Sequence, residues 1–379
     1  MIYLDNGATS FPKPRGMTAE MEDCIVNYCG NPGRSGHYMS MKTGEAVYQA
    51  RKDTARLFGI KDPARLIFTK NTTESLNMAM SGFLQEGDHV VTTSMEHNSV
   101  YRPLKRLEES GVSHTIVKGD RMGRVSAQAV ENALTESTSL IVITGASNVS
   151  GTIMPFDEIG KIAEQHHIPL LLDGAQCAGS IPIDVGSMKI SMLAFPGHKG
   201  LLGPLGTGGL YVAPDIQLRP LLCGGTGTQS KSRNQPCDFP EGFEAGTINA
   251  PGIIGLGYSV RFIQKVGVEA ISFYERQLIR QFDEAVQNMD FIELYGPAPE
   301  EKTGISLFNI RNVESEEVTG RLSREFGIAV RGGYHCSGFA HMTVGTWDTG
   351  AVRLSVGPFN TRKEIAKAIE AVWKIGKGR

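Results

Sequence analysis

Short apolar runs alternate, through the first two-thirds of the chain, with stretches whose apolar positions recur every three or four residues. The runs 65–69, 89–93, 140–144, 170–173 and 192–195 are rich in Val, Ile, Leu and Phe and read as buried strands. Between them, 156–167 carries Phe156, Ile159, Ile162, Ala163 and His166 at helical spacing. This alternation predicts an α/β fold: a mostly parallel sheet covered by helices on both faces, with ligands at the carboxyl ends of the strands. A loop over 222–236, rich in Gly, Ser, Thr and Gln, leads into a long helical stretch at about 252–288. Beyond it, strand and helix signals form a second, smaller α/β domain. Its last helix opens with Thr361 and Glu364 in capping-box spacing and places Ile365, Ile369 and Val372 on one face. The boundary falls near 255–265, and no internal repeat interrupts the pattern.

Composition narrows the class without naming it. Of 379 residues, 45 are glycine, well above the ~7% of average usage. With no collagen-like period, that excess implies tight turns or loops that bring backbone close to a ligand. Lys plus Arg is 38 and Asp plus Glu is 40, a net charge of −2, so the basic footprint of a nucleic-acid or membrane-surface protein is missing. Residues 1–6 have no basic region leading into an apolar stretch and are not expected to be a signal peptide. The uncharged segment 139–156 contains Ser, Thr, Asn and Gly and does not read as a membrane span. The 6 cysteines (24, 29, 177, 223, 237 and 336) show no CxxC spacing, so neither a metal site nor a disulfide framework is expected. A cytoplasmic protein with reduced thiols is the expectation.

The strongest local signal is Phe195-Pro196-Gly197-His198-Lys199-Gly200, directly after a strand. One strand earlier, Leu170-Leu-Leu-Asp173-Gly-Ala-Gln176 ends on a carboxylate. A lysine and an aspartate converging at neighbouring strand ends match the needs of pyridoxal 5'-phosphate. The lysine forms the Schiff base, and the aspartate pairs with the pyridinium nitrogen so that the ring remains an electron sink. The cofactor's phosphate requires a helix N-terminus with hydroxyls, which Thr69-Lys70-Asn71-Thr72-Thr73-Glu74 supplies.

These motifs belong to an ordered series. Tyr3-Leu-Asp-Asn-Gly-Ala-Thr-Ser10, Asn71-Thr-Thr-Glu74, Met95-Glu-His97-Asn98-Ser99 and Ser147-Asn148-Val-Ser-Gly-Thr152 come first. Asp173-Gly-Ala-Gln176, Gly197-His-Lys199, Glu244-Ala-Gly-Thr247, Arg331-Gly-Gly-Tyr-His-Cys336 and Val352-Arg353-Leu-Ser355 follow. In this the chain resembles the pyridoxal-phosphate enzymes of the class V aminotransferase type, specifically the cysteine desulfurase and selenocysteine lyase family. The resemblance implies the aspartate aminotransferase-like architecture of fold type I. It divides the chain into a large cofactor-binding domain, 15–258, and a small domain of 1–14 with 259–379.

The resemblance also implies roles. Lys199 is the cofactor lysine and the base at the substrate's Cα, and Asp173 holds the pyridinium proton. Gln176 and Asn148 sit near the ring's phenolic oxygen and the substrate, and His97 stacks on the ring. Thr72, Thr73 and His198 hold the phosphate, and Thr247 reaches the phosphate of a partner subunit, so a homodimer is expected. Arg353 clamps the substrate carboxylate. Cys336 is the nucleophile that takes sulfur from cysteine, leaving alanine and a persulfide for transfer to an acceptor protein. Arg331 and His335 beside it are expected to favour the thiolate. Selenocysteine is an alternative substrate. A transaminase or C–S lyase that leaves Cys336 idle, and a non-catalytic scaffold of the same fold, are the alternative readings. Pro196 stands where the family usually has a serine or threonine, and 337–341 and 345–350 depart from the commonest versions around the thiol. In that loop His341 is read as a loop residue rather than a proton carrier.

Overall fold

The structure, a computed structural model, describes residues 1–33 and 35–378. In chain order its first strands are β1 (Ile2–Tyr3), β2 (Leu66–Thr69), β3 (His89–Thr93), β4 (Ser113–Val117), β5 (Thr138–Thr144) and β6 (Leu170–Asp173). The others are β7 (Met192–Pro196), β8 (Gly208–Val212), β9 (Ile292–Tyr295), β10 (Ile305–Ile310), β11 (Ile328–Ala329) and β12 (Val352–Ser355). The α-helices begin with α1 (Met17–Asp23), α2 (Tyr38–Leu57), α3 (Thr72–Phe83), α4 (Asn98–Glu108), α5 (Ala127–Glu131) and α6 (Phe156–Gln165). They continue with α7 (Ala250–Val266), α8 (Val268–Val286), α9 (Ser315–Phe326), α10 (Gly338–Val344) and α11 (Arg362–Lys377).

A 7-stranded sheet of order β2-β8-β7-β6-β5-β3-β4 organises the first two-thirds. Only β8 runs against its neighbours, pairing antiparallel with both β2 and β7. The strands lack polar alternation because both faces are covered. Ile141 and Ile143 of β5 pack, with Leu170 and Leu172 of β6, into one core that includes α2, α6 and α7 residues. Leu140, Val142 and Leu171, one residue out of phase, pack on the other face against Leu76, Met80, Val100 and Leu104 of α3 and α4.

A separate apolar cluster fills the space between the 3-stranded antiparallel sheet β12-β10-β9 and helices α8, α9 and α11. It recruits Leu4 from the chain's beginning, where β1 pairs in parallel with β11. The long helix expected over 252–288 is two helices, broken at Gly267, whose φ of 93° ends α7 and turns the chain into α8. The capping box forms at Thr361, whose side chain accepts from the Glu364 N–H while Glu364 Oε2 accepts from the Thr361 N–H.

Candidate active site

The parallel register brings the predicted pair together. Asp173 is the last residue of β6 and lies opposite Ala194 of β7, and β7 leads directly into Gly197, His198 and Lys199. Asp173 is buried, at 2% exposure, and its Oδ1 accepts from the Ala175 N–H at 2.9 Å. Burial pushes its acid up to about 6, against the opposing pull of Lys199. Burial, reinforced by the charge of Arg353, lowers Lys199 to about 8, with Asp173 countering.

One cleft is lined by Thr72, Thr73, His97, Asn148, Asp173, Gln176, His198 and Lys199. Thr72 and Thr73 open α3, whose cap Asn71 accepts from the Glu74 N–H at 3.0 Å. Among the described residues the buried Thr72 hydroxyl has no hydrogen-bond partner, and neither has His198 Nδ1. Pro196 lines the same cleft without a hydroxyl to offer. Ser99, the last residue of the His97 motif and one to which that motif assigns no role, lines it too: its Oγ lies 2.8 Å from Thr73 Oγ1 and 2.8 Å from His97 Nδ1. Two orphaned polar atoms beside a helix N-terminus, with a lysine and a buried carboxylate in the same cleft, fit pyridoxal phosphate.

His97 caps α4. Its Nδ1 accepts from the Ser99 N–H at 3.1 Å, which puts the ring proton on Nε2. Burial, and then the charges of Lys199, Arg331, Arg102 and Arg353, lower it to about 4, so the ring is neutral near pH 7. Gln176 donates from Nε2 to the Gly7 carbonyl at 2.9 Å. Asn148 is placed in the cleft, but its amide is spent elsewhere: Nδ2 donates to the His335 carbonyl at 2.7 Å, and Oδ1 accepts from Ser337 Oγ at 2.6 Å. It ties the cleft to the residues on either side of Cys336. Thr247 lies outside this cleft, on an exposed stretch where its hydroxyl accepts from Asn31 Nδ2 at 3.4 Å.

Arg353 is buried, at 1% exposure. Its Nη2 pairs with Asp5 Oδ1 at 2.9 Å, its Nη1 donates to the Asn148 carbonyl at 2.9 Å, and its Nε has no partner among the described residues. Asp5 reaches Arg353 because residue 5 folds back onto β12, bridging to Ser355. Arg331 pairs through the backbone with Arg353 and extends Nη2 to within 3.6 Å of Cys336 Sγ.

Cys336 is exposed and sits at φ 59°, immediately after His335 at φ 52°. Two successive left-handed residues that are not glycine cost on the order of 1–3 kcal/mol each and persist only where the surroundings fix them. The Cys336 carbonyl accepts from the Asn98 N–H at 2.9 Å, docking the loop on the start of α4. The expectation that His335 supports a thiolate is corrected. His335 is 2% exposed and held neutral by burial, with Arg353 and His341 nearby, and its ring bonds inward. Arg331 alone of the pair brings positive charge to the sulfur. Glu96, beside His97 in the sequence, is fully buried, and burial raises its acid to about 8, so it is protonated at neutral pH.

The family model for class-V aminotransferases matches residues 2–367. A probable cysteine desulfurase of Methanothermobacter thermautotrophicus is 36% identical over 380 residues, 99% of this chain and 94% of that protein. A cysteine desulfurase of Haloferax volcanii is 30% identical, with coverage of 98% and 88%. Among solved structures, the apo structure of a cysteine desulfurase from Thermococcus onnurineus superposes with a TM-score of 0.94 at 30% identity, covering 100% of this chain and 95% of that one.

Proposed function

Because the chain belongs to the class-V aminotransferase family, and within it to the cysteine desulfurases, we propose that it converts L-cysteine to L-alanine and keeps the sulfur as a persulfide on Cys336. The observation that carries this is the exposed Cys336, held by Asn98 and Asn148 at the cleft and contacted by Arg331. An idle thiol needs no such strained and tethered loop.

Pyridoxal phosphate, when bound, supplies the electron sink that makes the substrate's Cα–H acidic and weakens the bond to sulfur. Thr72, Thr73 and His198, with the first N–H groups of α3, bind its phosphate. Asp173, ionised once a positive N–H lies against it, holds the ring proton, and neutral His97 offers a flat face for stacking. Lys199, lowered to about 8, would hold the cofactor through Nζ and, once the substrate's amine has taken its place, would accept the Cα proton on that same atom. Arg353 orients the substrate carboxylate with the N–H groups that Asp5 and Asn148 leave free, Nε–H among them. Cys336 Sγ, as thiolate, attacks the substrate sulfur. The C–S bond breaks, an S–S bond forms, and alanine leaves, so that thiol plus cysteine balances persulfide plus alanine.

Thr247, away from its own chain's cleft, supports a homodimer in which it reaches the partner's phosphate. Exposed Ile25, Val26, Tyr38 and Tyr48 supply an apolar surface for that contact. The persulfide then passes to an acceptor protein. Free thiols throughout the described residues support a cytoplasmic location, and no described helix is long and apolar enough to cross a membrane. The test is Cys336→Ala, assayed for alanine release from cysteine and from selenocysteine. Loss with cysteine is the expected result. Parental release from cysteine contradicts the thiol mechanism, and loss of cysteine turnover with retained selenocysteine turnover marks the weaker C–Se bond breaking without the thiol.

A further inference from the structure

Beneath Cys336 lies a buried row of side chains that the chemistry above does not use. His335 Nδ1 is 3.0 Å from His341 Nε2, and His341 Nδ1 is 2.7 Å from Thr346 Oγ1. At the other end His335 Nε2 lies 3.3 Å from the Arg331 carbonyl. His341 and Thr346 are fully buried. Burial lowers His341 to about 4 and holds His335 well below its ordinary value, so both rings are neutral.

Neutral rings leave one proton arrangement. A carbonyl only accepts, so His335 Nε2 carries the proton bonded to Arg331, and His335 Nδ1 must accept. His341 Nε2 is therefore the donor, His341 Nδ1 accepts, and the Thr346 hydroxyl donates to it. The row is polarised from Thr346 to the Arg331 carbonyl, and every ring nitrogen is satisfied. His341 stands at the middle of α10, and Thr346 just past its left-handed end at Gly345 (φ 86°). The backbone ties of the loop fix the His335 and Cys336 carbonyls; among the described residues, the hydrogen bonds that hold the His335 ring are those of this row.

We propose that His341 and Thr346 are positioning residues for Cys336, acting through His335 to hold the loop in its left-handed conformation with Sγ against Arg331. The proposal rests on the reading of Cys336 as the sulfur acceptor. Without the His341 donor, His335 Nδ1 is left unpaired in a dry site, the ring turns to find a partner, and Cys336 turns with it.

The test compares His341→Leu with His341→Gln, whose amide N–H can replace the Nε2 donor, and Thr346→Val with Thr346→Ser. Two quantities are read on the holoenzyme: alanine release from cysteine, and the alkylation rate of Cys336 by iodoacetamide, followed on its own peptide. His341→Leu is expected to lower kcat about 10- to 100-fold with KM within about twofold, and to slow alkylation at least about threefold as the Arg331 contact is lost. His341→Gln and Thr346→Ser are expected to restore both. Parental kcat and alkylation in His341→Leu overturn the proposal, as does equal loss in His341→Leu and His341→Gln at parental cofactor absorbance. If His341→Leu does not fold, the Thr346 pair decides by the same criteria. Failure of the Cys336 reading is separable, because the alkylation rates report the loop's geometry whether or not the thiol is catalytic.

Discussion

Asp173→Asn should make the cofactor-free protein more stable while making the enzyme worse. The carboxyl is taken into a site where burial raises its acid from an ordinary 3.8 to about 6. At ~1.4 kcal/mol per pKa unit, the ionised group costs the empty fold about 3 kcal/mol. The sign follows from proton counting: between pH 4 and 6 the folded chain holds a proton that the unfolded chain has released, so this contribution to stability falls as pH rises through that window. Nearly the whole cost is present at pH 8, about half of it at pH 5, and little below pH 4. Asparagine removes the charge, and its Oδ1 can still accept from the Ala175 N–H. The measurement is urea unfolding of cofactor-free parent and variant at pH 8 and pH 5. The variant should gain about 2–3 kcal/mol at pH 8 and about half as much at pH 5, with unchanged m. With cofactor bound, its turnover of cysteine should fall, because an amide cannot hold the ring proton. A variant less stable than the parent at pH 8, or a difference that does not change with pH, refutes the reasoning.

Three further outcomes follow from single features. Lys302 and Asp283 form a buried pair at 2.6 Å, with side-chain exposures of 1% and 6%, so Lys302→Met alone should cost about 3–5 kcal/mol and Lys302→Met with Asp283→Leu much less, read by urea unfolding. Gly179 sits at φ 87°, and a Cβ there would lie 2.3 Å from the Gly200 carbonyl. Gly179→Ala should cost more than about 1 kcal/mol and, by displacing the segment after Lys199, weaken cofactor binding measured by absorbance titration. Arg353→Lys keeps the charge but loses the planar fork that reaches Asp5 and Asn148 while presenting Nε–H, and KM for cysteine should rise about tenfold or more in steady-state assays.

The central sheet was legible because strands covered on both faces are nearly continuous apolar runs, and 89–93, 170–173 and 192–195 stand within a residue of the observed β3, β6 and β7. Strand β8 is not legible in the sequence: Gly208 and Gly209 dilute its apolar signal, yet they are required there, since a Cβ on Gly209 would lie 2.3 Å from the Phe195 ring. The break at Gly267 was hidden because helical spacing continues on both sides of it. Asp173 was legible because a strand end fixes where its last residue points, and Lys199 because it lies in the loop directly after β7. Interactions made across great sequence separation were not. Asp5 meets Arg353 and Asn148 meets Ser337 only after the small sheet closes on the large one. His335 looked like a neighbour of the thiol, but its left-handed backbone turns the ring inward toward His341.

The most direct test of the account is a single-turnover pulse of L-cysteine on the holoenzyme, without acceptor or reductant, followed by peptide mass analysis. The account predicts one alanine released per active site and the mass of one added sulfur atom on the peptide that carries Cys336. Alanine released at that stoichiometry with the Cys336 peptide unmodified, or the sulfur found on another cysteine, would contradict it.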